Sequence, residues 1–191
     1  MGVIGLFSLA AAWIAGEKKQ NSLNPLLRFD DVYAEHFSFV WRSLRGLGVL
    51  ESAIDDTAQE VFVIVYRKLD TVTDADGIKR WLFSIVRRVA SEHRRSRRRK
   101  GIAVEYDDSV STAQSDTPQK QVEHRQVLEA IESFMNELSE ENRSIFVLSE
   151  IEQLPVARIS EILEMNPNTI YSRLKVIRSE LEGFMAKRKM D

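Results

Sequence analysis

Apolar residues recur every three or four positions along most of the chain from Phe29 to Lys187, and the recurrence lapses over one stretch, Gly101 to Lys120. A period near 3.6 is the signature of amphipathic helices, and a lapse of that length separates two groups of them. Glycine and proline, which interrupt helices, number only 8 and 4 among 191 residues. No stretch shows the period of two that a half-buried strand requires, and no internal repeat is found. The expected fold is all-α: two small helical domains joined by a flexible linker. Two cores of about 65–75 residues are each marginal alone, so contacts with a partner would matter to their stability.

The first domain is expected over residues 29–100. Phe29 to Arg45 places Val32, Tyr33, Phe37, Val40, Trp41 and Leu44 at helical spacing, with Asp30 as expected N-cap and Gly46 and Gly48 as terminators. A second helix, about Ala53 to Leu69, carries Ile54, Ala58, Val61, Phe62, Val65 and Leu69, with Ser52 as expected cap. After a loop, Asp70 to Gly77, a third helix runs from Ile78 to about Arg97. It buries Trp81, Leu82, Ile85, Val86, Val89 and Ala90 and carries Arg87, Arg88, Arg94 and Arg95 on the other face. Residues 101–120, with Glu105, Asp107, Asp108 and Asp116 among Ser, Thr and Gln, read as an acidic flexible linker. The second domain, 121–191, resumes at Val122 with Val127, Leu128, Ile131, Phe134, Met135 and Leu138. Ser139 is the expected N-cap of the next helix, whose first turn holds Glu140 and Glu141 at its positive dipole end. Two helices follow, near Pro155–Glu164 and Thr169–Lys187.

The net charge of −2 hides a strong separation. Lys79 to Lys100 holds ten Lys or Arg against one acid, Glu92, so this segment carries +9 and the remainder −11. A concentrated basic segment on an acidic chain points to one polyanion-binding surface and to a different partner elsewhere. There is no cysteine, which excludes disulfides, thiolate metal sites and cysteine nucleophiles. His36, His93 and His124 are scattered singly and read as packing or surface residues. With no Gly-rich phosphate loop and no nucleophile–base pair, no cofactor, no metal and no catalytic residue is expected. Met1 to Gly16 carries no charge, yet it is shorter than a membrane span of about 20 residues. It lacks the basic start of a secretory signal, and Leu6 stands where a myristoylation signal needs Ser or Thr. Residues 1–28 are expected to be an apolar leader outside the fold, with a membrane-surface anchor as the alternative.

Three local signals carry chemistry. At the C-terminal end, Val156, Ile159, Ile162, Leu163 and Met165 form an apolar face, Asn166-Pro167-Asn168 breaks the chain, and Ile170, Leu174 and Ile177 form a second face. Asn168 is the expected left-handed residue and Thr169 the expected cap. Tyr171, Ser172, Arg173, Lys175 and Arg178 then face outward, the pattern of a helix-turn-helix whose second helix enters a major groove. Taken alone, the pair also fits a helical hairpin with a solvated basic face. His93 to Lys100 extends the amphipathic third helix with arginines aimed in one direction, which suits phosphates. On the second helix Asp56, Gln59, Glu60, Val63 and Arg67 lie opposite the buried stripe, which suits a protein partner or a solvated face. Paired aspartates can also hold Mg²⁺ and a diphosphate, as in isoprenoid synthases. Here no second acidic motif follows and the chain is short for that fold.

Taken in order and at these separations, the signals resemble the extracytoplasmic-function sigma factors of the sigma-70 family over about Phe29 to Arg188. Asp55-Asp56-Thr57-Ala58-Gln59-Glu60-Val61-Phe62 is similar to the D-D/E-x-x-Q-E-V-F signature of sigma region 2, and Trp81 to Ala90 to its W-L-x-x-I-A-R-N-x-A segment. Leu138 to Phe146 and Thr169-Ile170-Tyr171-Ser172-Arg173-Leu174 are similar to two stretches of the region 4 helix-turn-helix. The departures are Arg88 in place of Asn, Met165 to Asn168 in place of a Gly-containing turn, Tyr171 in place of Lys, and a loop Thr71–Gly77 of unusual character.

The resemblance implies a function: an alternative sigma factor, cytoplasmic and without enzymatic activity, that directs RNA polymerase to promoters. Asp55, Asp56, Gln59, Glu60 and Val63 would dock on core RNA polymerase, whose clamp and flap regions are the implied contacts. Asp74, Lys79, Arg80, Trp81, Phe83, Arg87, Arg88, Arg94 and Arg95 would hold the melted −10 element of promoter DNA. Asn168, Thr169, Tyr171, Ser172, Arg173, Lys175 and Arg178 would read the −35 element. An anti-sigma factor is a further candidate partner, and no small-molecule substrate is implied. The rival is a free-standing helix-turn-helix regulator, which accounts for the last sixty residues or so but not for Asp55–Phe62, the arginine helix or the acidic linker. Because the resemblance begins near Phe29, deleting residues 1–24 is expected to leave promoter-specific transcription intact. Run-off transcription with core polymerase checks this, and a folded but inactive truncation would show the leader to be functional.

Overall fold

The computed structural model describes residues 27–99, 130–131 and 133–188. The expected leader before Leu27, the linker 101–120 and the apolar positions Val122, Val127 and Leu128 lie outside the described residues. All regular structure among the described residues is helical.

Helix α1 (Phe29–Gly46) starts after the extended Arg28 with no side-chain cap, so the expected cap Asp30 sits with Asp31 in the first turn. Their charges suit the positive end of the helix dipole there, which serves the same end as a cap by a weaker route. The helix stops as anticipated, because Gly48 takes φ +88 and the backbone turns back in hydrogen bonds from Gly48 to Arg45 and from Val49 to Leu44. Helix α2 (Glu51–Lys68) begins after Leu50, so Ser52 falls inside the first turn and caps nothing. A short 3₁₀ turn (Leu69–Thr71) and a loop lead to α3 (Ile78–Arg99). These three helices bury Val40, Leu44, Ile54, Val61, Phe62, Val65, Leu82 and Val86 between them. Phe29, Tyr33, Phe37 and Tyr66 gather around Phe62 and Phe29 at ring separations of 4.7–6.4 Å. His36 is a buried packing residue, as expected; burial holds its pKa below the usual value.

In the second half a helical stretch at 133–137 precedes α4 (Glu140–Phe146). Ser139 caps α4 as anticipated, its hydroxyl accepting from the Asn142 amide at 3.2 Å. The helix then widens into a π turn (Val147–Ile151), where the Glu152 amide reaches the Val147 carbonyl at 3.0 Å. Helices α5 (Val156–Leu163) and α6 (Pro167–Arg188) follow. The turn between them differs from expectation. Glu164, not Asn168, takes the left-handed conformation at φ 53, and Asn166, not Thr169, supplies the cap by accepting from the Asn168 amide at 2.8 Å. Pro167 opens the helix, where its missing N–H costs nothing and its fixed φ fits.

The two halves do not stand apart. Their buried side chains form one continuous cluster, with Val147, Leu148, Ile159, Ile170 and Ile177 joined to the core of α1–α3. α5 packs against α3, and the π turn packs against α1. Arg143 is buried within the second half at 3% exposure and donates to the carbonyls of Met135 at 2.8 Å, Leu138 at 3.2 Å and Asn136 at 3.3 Å. Burial, reinforced by the charges of Arg94 and Arg98, lowers its pKa to about 10, so it stays protonated at neutral pH. It satisfies carbonyls at a helix end that the chain itself leaves open. Arg143→Ala is expected to destabilise the protein by about 2–3 kcal/mol, since charge-assisted hydrogen bonds are lost and their acceptors stay buried. Urea unfolding of the two proteins measures it, and an unchanged midpoint would refute the role.

Candidate nucleic-acid interface

On α2 the buried stripe Ile54, Thr57, Ala58, Val61, Phe62 and Val65 leaves Asp55, Asp56, Gln59 and Glu60 exposed and Val63 half-buried. The sequence pattern places these five together, and the structure does the same. Asp55 is oriented from α1, since the Trp41 indole N–H donates to it at 3.1 Å. Asp56, Gln59 and Glu60 remain open to solvent.

The loop before α3 and the helix behind it form the basic edge. Asp74 is exposed and accepts from the Asp76 amide at 3.0 Å, a turn closed so tightly that a Cβ at Gly77 would lie 2.9 Å from Asp74 Oδ2. Lys79 and Trp81 are half-buried, and Arg80, Arg87, Arg88 and Arg95 are exposed. Arg87, Arg88, Arg95 and Arg99 line an open groove with Ser84 and Glu140. Phe83 is a correction to the sequence reading. It is 1% exposed and packs against Phe39 at 6.2 Å, so it offers no face to a base; the apolar stripe of α3 takes it in. Arg94 is a second correction. Its side chain is only 10% exposed, and its guanidinium donates to the Leu47 carbonyl and to Glu140, the latter at 3.0 Å. Glu140 also accepts from the Ser91 hydroxyl at 2.7 Å; that bond and Arg94 hold its carboxyl below the usual range. In this arrangement Arg94 belongs to the contact between the two halves, not to the open basic face.

On α6, Ile170, Leu174 and Ile177 are buried, while Asn168, Thr169, Tyr171, Ser172, Lys175 and Arg178 are exposed. Tyr171 has 61% of its surface in solvent, which for a large aromatic on a helix facing nothing is an open stacking or hydrogen-bonding position. Arg173 is half-buried and folds back to Glu141 at 2.5 Å and Asn142 at 3.3 Å. Arg178 pairs with Glu150 at 2.8 Å. Burial would raise the pKa of Glu150, but bonds from Ser149 and Arg178 outweigh it and the net shift is downward. Pairs as exposed as these contribute about 0–1 kcal/mol, so both arginines can exchange a carboxylate for a phosphate or base at little cost.

Sequence reasoning missed the residues that join the halves. Arg42 grips Glu152 through two bonds of 3.0 and 2.8 Å, and Arg158 donates to the Asp76 carbonyl at 2.8 Å. Arg80 lies 3.8 Å from Glu164. Among the described residues no group of three or more His, Cys, Asp or Glu could hold a metal ion, and no helix is long and apolar enough to cross a membrane.

Comparison with known proteins agrees with this layout. The family model for sigma-70 region 2 matches residues 32–100, and that for sigma-70 region 4 matches residues 128–181. The chain is 24% identical over 160 residues to the RNA polymerase sigma factor NccH of Alcaligenes xylosoxydans xylosoxydans, covering 82% of this chain and 86% of that one. It is 28% identical over 145 residues to the ECF RNA polymerase sigma factor SigL of Mycobacterium tuberculosis, covering 75% and 80%. Among solved structures, CnrH in complex with the cytosolic domain of CnrY superposes with a TM-score of 0.62 at 19% identity, over 94% of this chain and 96% of that one. The sigma factor RpoE in complex with the anti-sigma factor NepR from Bartonella quintana superposes at 0.63 and 20% identity, over 83% and 96%. At such identities the structures speak for the fold, a region 2 bundle followed by a region 4 helix-turn-helix. With both region models matched in order along one chain and relatives aligned across both, the chain belongs to the extracytoplasmic-function group of the sigma-70 family of RNA polymerase sigma factors.

Proposed function

We propose that this sigma factor docks on core RNA polymerase through the acidic face of α2 and reads promoter DNA through two separate basic surfaces. The observation that carries the reading is α6. Its apolar side is fully committed to the core, and its other side presents Asn168, Thr169, Tyr171, Ser172 and Lys175 to solvent with nothing in the chain covering them. That is what insertion into the major groove of the −35 element requires. The loop at Asp74 and the start of α3, from Lys79 to Trp81, take the unpaired −10 strand, where Trp81 and Asp74 supply a stacking surface and a hydrogen-bond acceptor. Arg87, Arg88 and Arg95 neutralise phosphates. The protein works in the cytoplasm on polymerase and DNA, without a catalytic step or small-molecule substrate, and an anti-sigma factor is a further partner.

Asp56→Ala combined with Glu60→Ala should weaken binding to core polymerase without changing helical content. Charge-assisted contacts of this kind are worth about 1.5–3 kcal/mol each once desolvated. Comigration with core and circular dichroism together check it, and undiminished affinity would remove the docking role.

The two DNA surfaces separate by their salt and sequence dependence. Lys175→Ala with Tyr171→Ala should reduce preference for the cognate −35 sequence, where a base contact carries about 1–3 kcal/mol of discrimination. Arg88→Ala with Arg95→Ala should weaken all promoters alike and flatten the salt dependence, because fewer counterions are released. Binding of polymerase holoenzyme to cognate and −35-scrambled promoters across a salt series measures both, and the reverse pattern would exchange the two assignments.

A further inference from the structure

The surface assigned above to the −10 strand is not open in this arrangement of the chain. We propose that the free protein latches itself: region 4 closes on region 2 and covers the −10-reading edge until the two halves separate. This rests on the −10 assignment made under the proposed function.

Four contacts make the latch, each joining residues far apart in sequence. Arg158 of α5, itself held by Glu161 at 2.5 Å, donates to the Asp76 carbonyl in the loop at the centre of the −10 edge. Glu164, at the end of α5, stands 3.8 Å from Arg80. Arg42 of α1 forks onto Glu152 after the π turn, and the Glu152 side chain is only 5% exposed. Its geometry is that of a planar, bidentate pair, which specifies orientation as well as attraction. Arg94 bridges the Leu47 carbonyl of region 2 and Glu140 of region 4.

A steric feature completes it. Gly46 is the last residue of α1 and carries no left-handed φ, so its own half does not require glycine. A Cβ there would lie 2.6 Å from Ile151 and 2.9 Å from Val147, both in the π turn of the other half. Glycine at this position is needed for the approach of region 4, and a side chain in its place acts as a wedge between the halves. The latch and DNA compete for the same edge: the carbonyl of Asp76 and the guanidinium of Arg80 cannot meet α5 and an unpaired strand together.

A chain with no cysteine takes two introduced labels cleanly. The experiment uses the full chain with cysteines at the exposed Arg67 and Glu180, reading the separation of the halves by spin-label distances. In parallel, fluorescence anisotropy reads affinity for a single-stranded oligonucleotide carrying the −10 element. The expected wild-type result is one narrow distance population. Gly46→Leu and, independently, Glu152→Gln should broaden it to longer distances and tighten oligonucleotide binding. If the open fraction rises from about 10% to nearly all, the affinity gain is about tenfold. Arg42→Glu alone should open the chain as well, and Arg42→Glu with Glu152→Arg should return both readings toward wild type, which a merely misfolded variant would not do. A broad wild-type distribution, or variants whose distances match wild type, would overturn the latch whatever the oligonucleotide does. Longer distances without tighter binding would overturn the occlusion and place the −10 contact elsewhere, leaving the closed contact itself standing.

Discussion

Arg143 is where the second half of the chain is tied together, and its burial determines much of what surrounds it. A guanidinium taken from water must find hydrogen-bond acceptors, and here it finds the carbonyls of Met135, Asn136 and Leu138. By doing so it fixes the end of one helical stretch against the start of α4. That places the Ser139 cap, and with it Glu140 at the positive end of α4. The Arg143 charge raises the potential at its own position, and Arg94 stands near enough to feel it. Glu140 answers both cations, which is why a carboxylate at that point can tie region 4 to region 2.

The charge separation visible in the composition becomes a set of exchangeable pairings in the fold. Arg173 and Arg178 on α6 rest on Glu141 and Glu150, and Arg42 rests on Glu152. The acids of α4 and the π turn thus neutralise the cations of neighbouring helices while those cations wait for another anion. Exposed pairs hold such cations loosely, so a polyanion of high charge density displaces the carboxylates. The acidic face of α2, by contrast, meets no cation of α3 and stays available to a different partner.

What the sequence disclosed, and what it did not, divides along one physical line. Local features were legible. The period of Ile54, Ala58, Val61, Phe62 and Val65 gave α2 and, by subtraction, its exposed acids; Ser139 gave a cap because Ser is followed by two acids; Gly46 and Gly48 gave an end. Caps with equivalent candidates nearby were not legible. Asp30, Ser52 and Thr169 are all good cap residues, and each was displaced by a helix that began one or more residues earlier. Asn166 prevailed at the last because Pro167 can only open a helix. Phe83 and Arg94 misled for a different reason. Each lies close to the boundary between two faces of α3, and which side it joins depends on Phe39, Leu47 and Glu140, residues remote in sequence. The pairing of Arg42 with Glu152 spans 110 positions and leaves no mark in any local pattern.

The π turn at Val147–Ile151 has a consequence for how the two halves are kept in phase. Its backbone bonds from Glu152 to Val147, one residue beyond the α-helical reach, so the segment carries one residue more than a regular helix would use to cover the same ground. Removing any single residue from it would allow ordinary helical bonding and rotate everything downstream by about 100°. Ile151 would leave Gly46, and Glu152 would swing out of reach of Arg42. The alignment of the helix-turn-helix on region 2 is therefore encoded in the length of this segment as much as in its side chains. A chain could lose that alignment by a one-codon deletion while every contacting residue was retained.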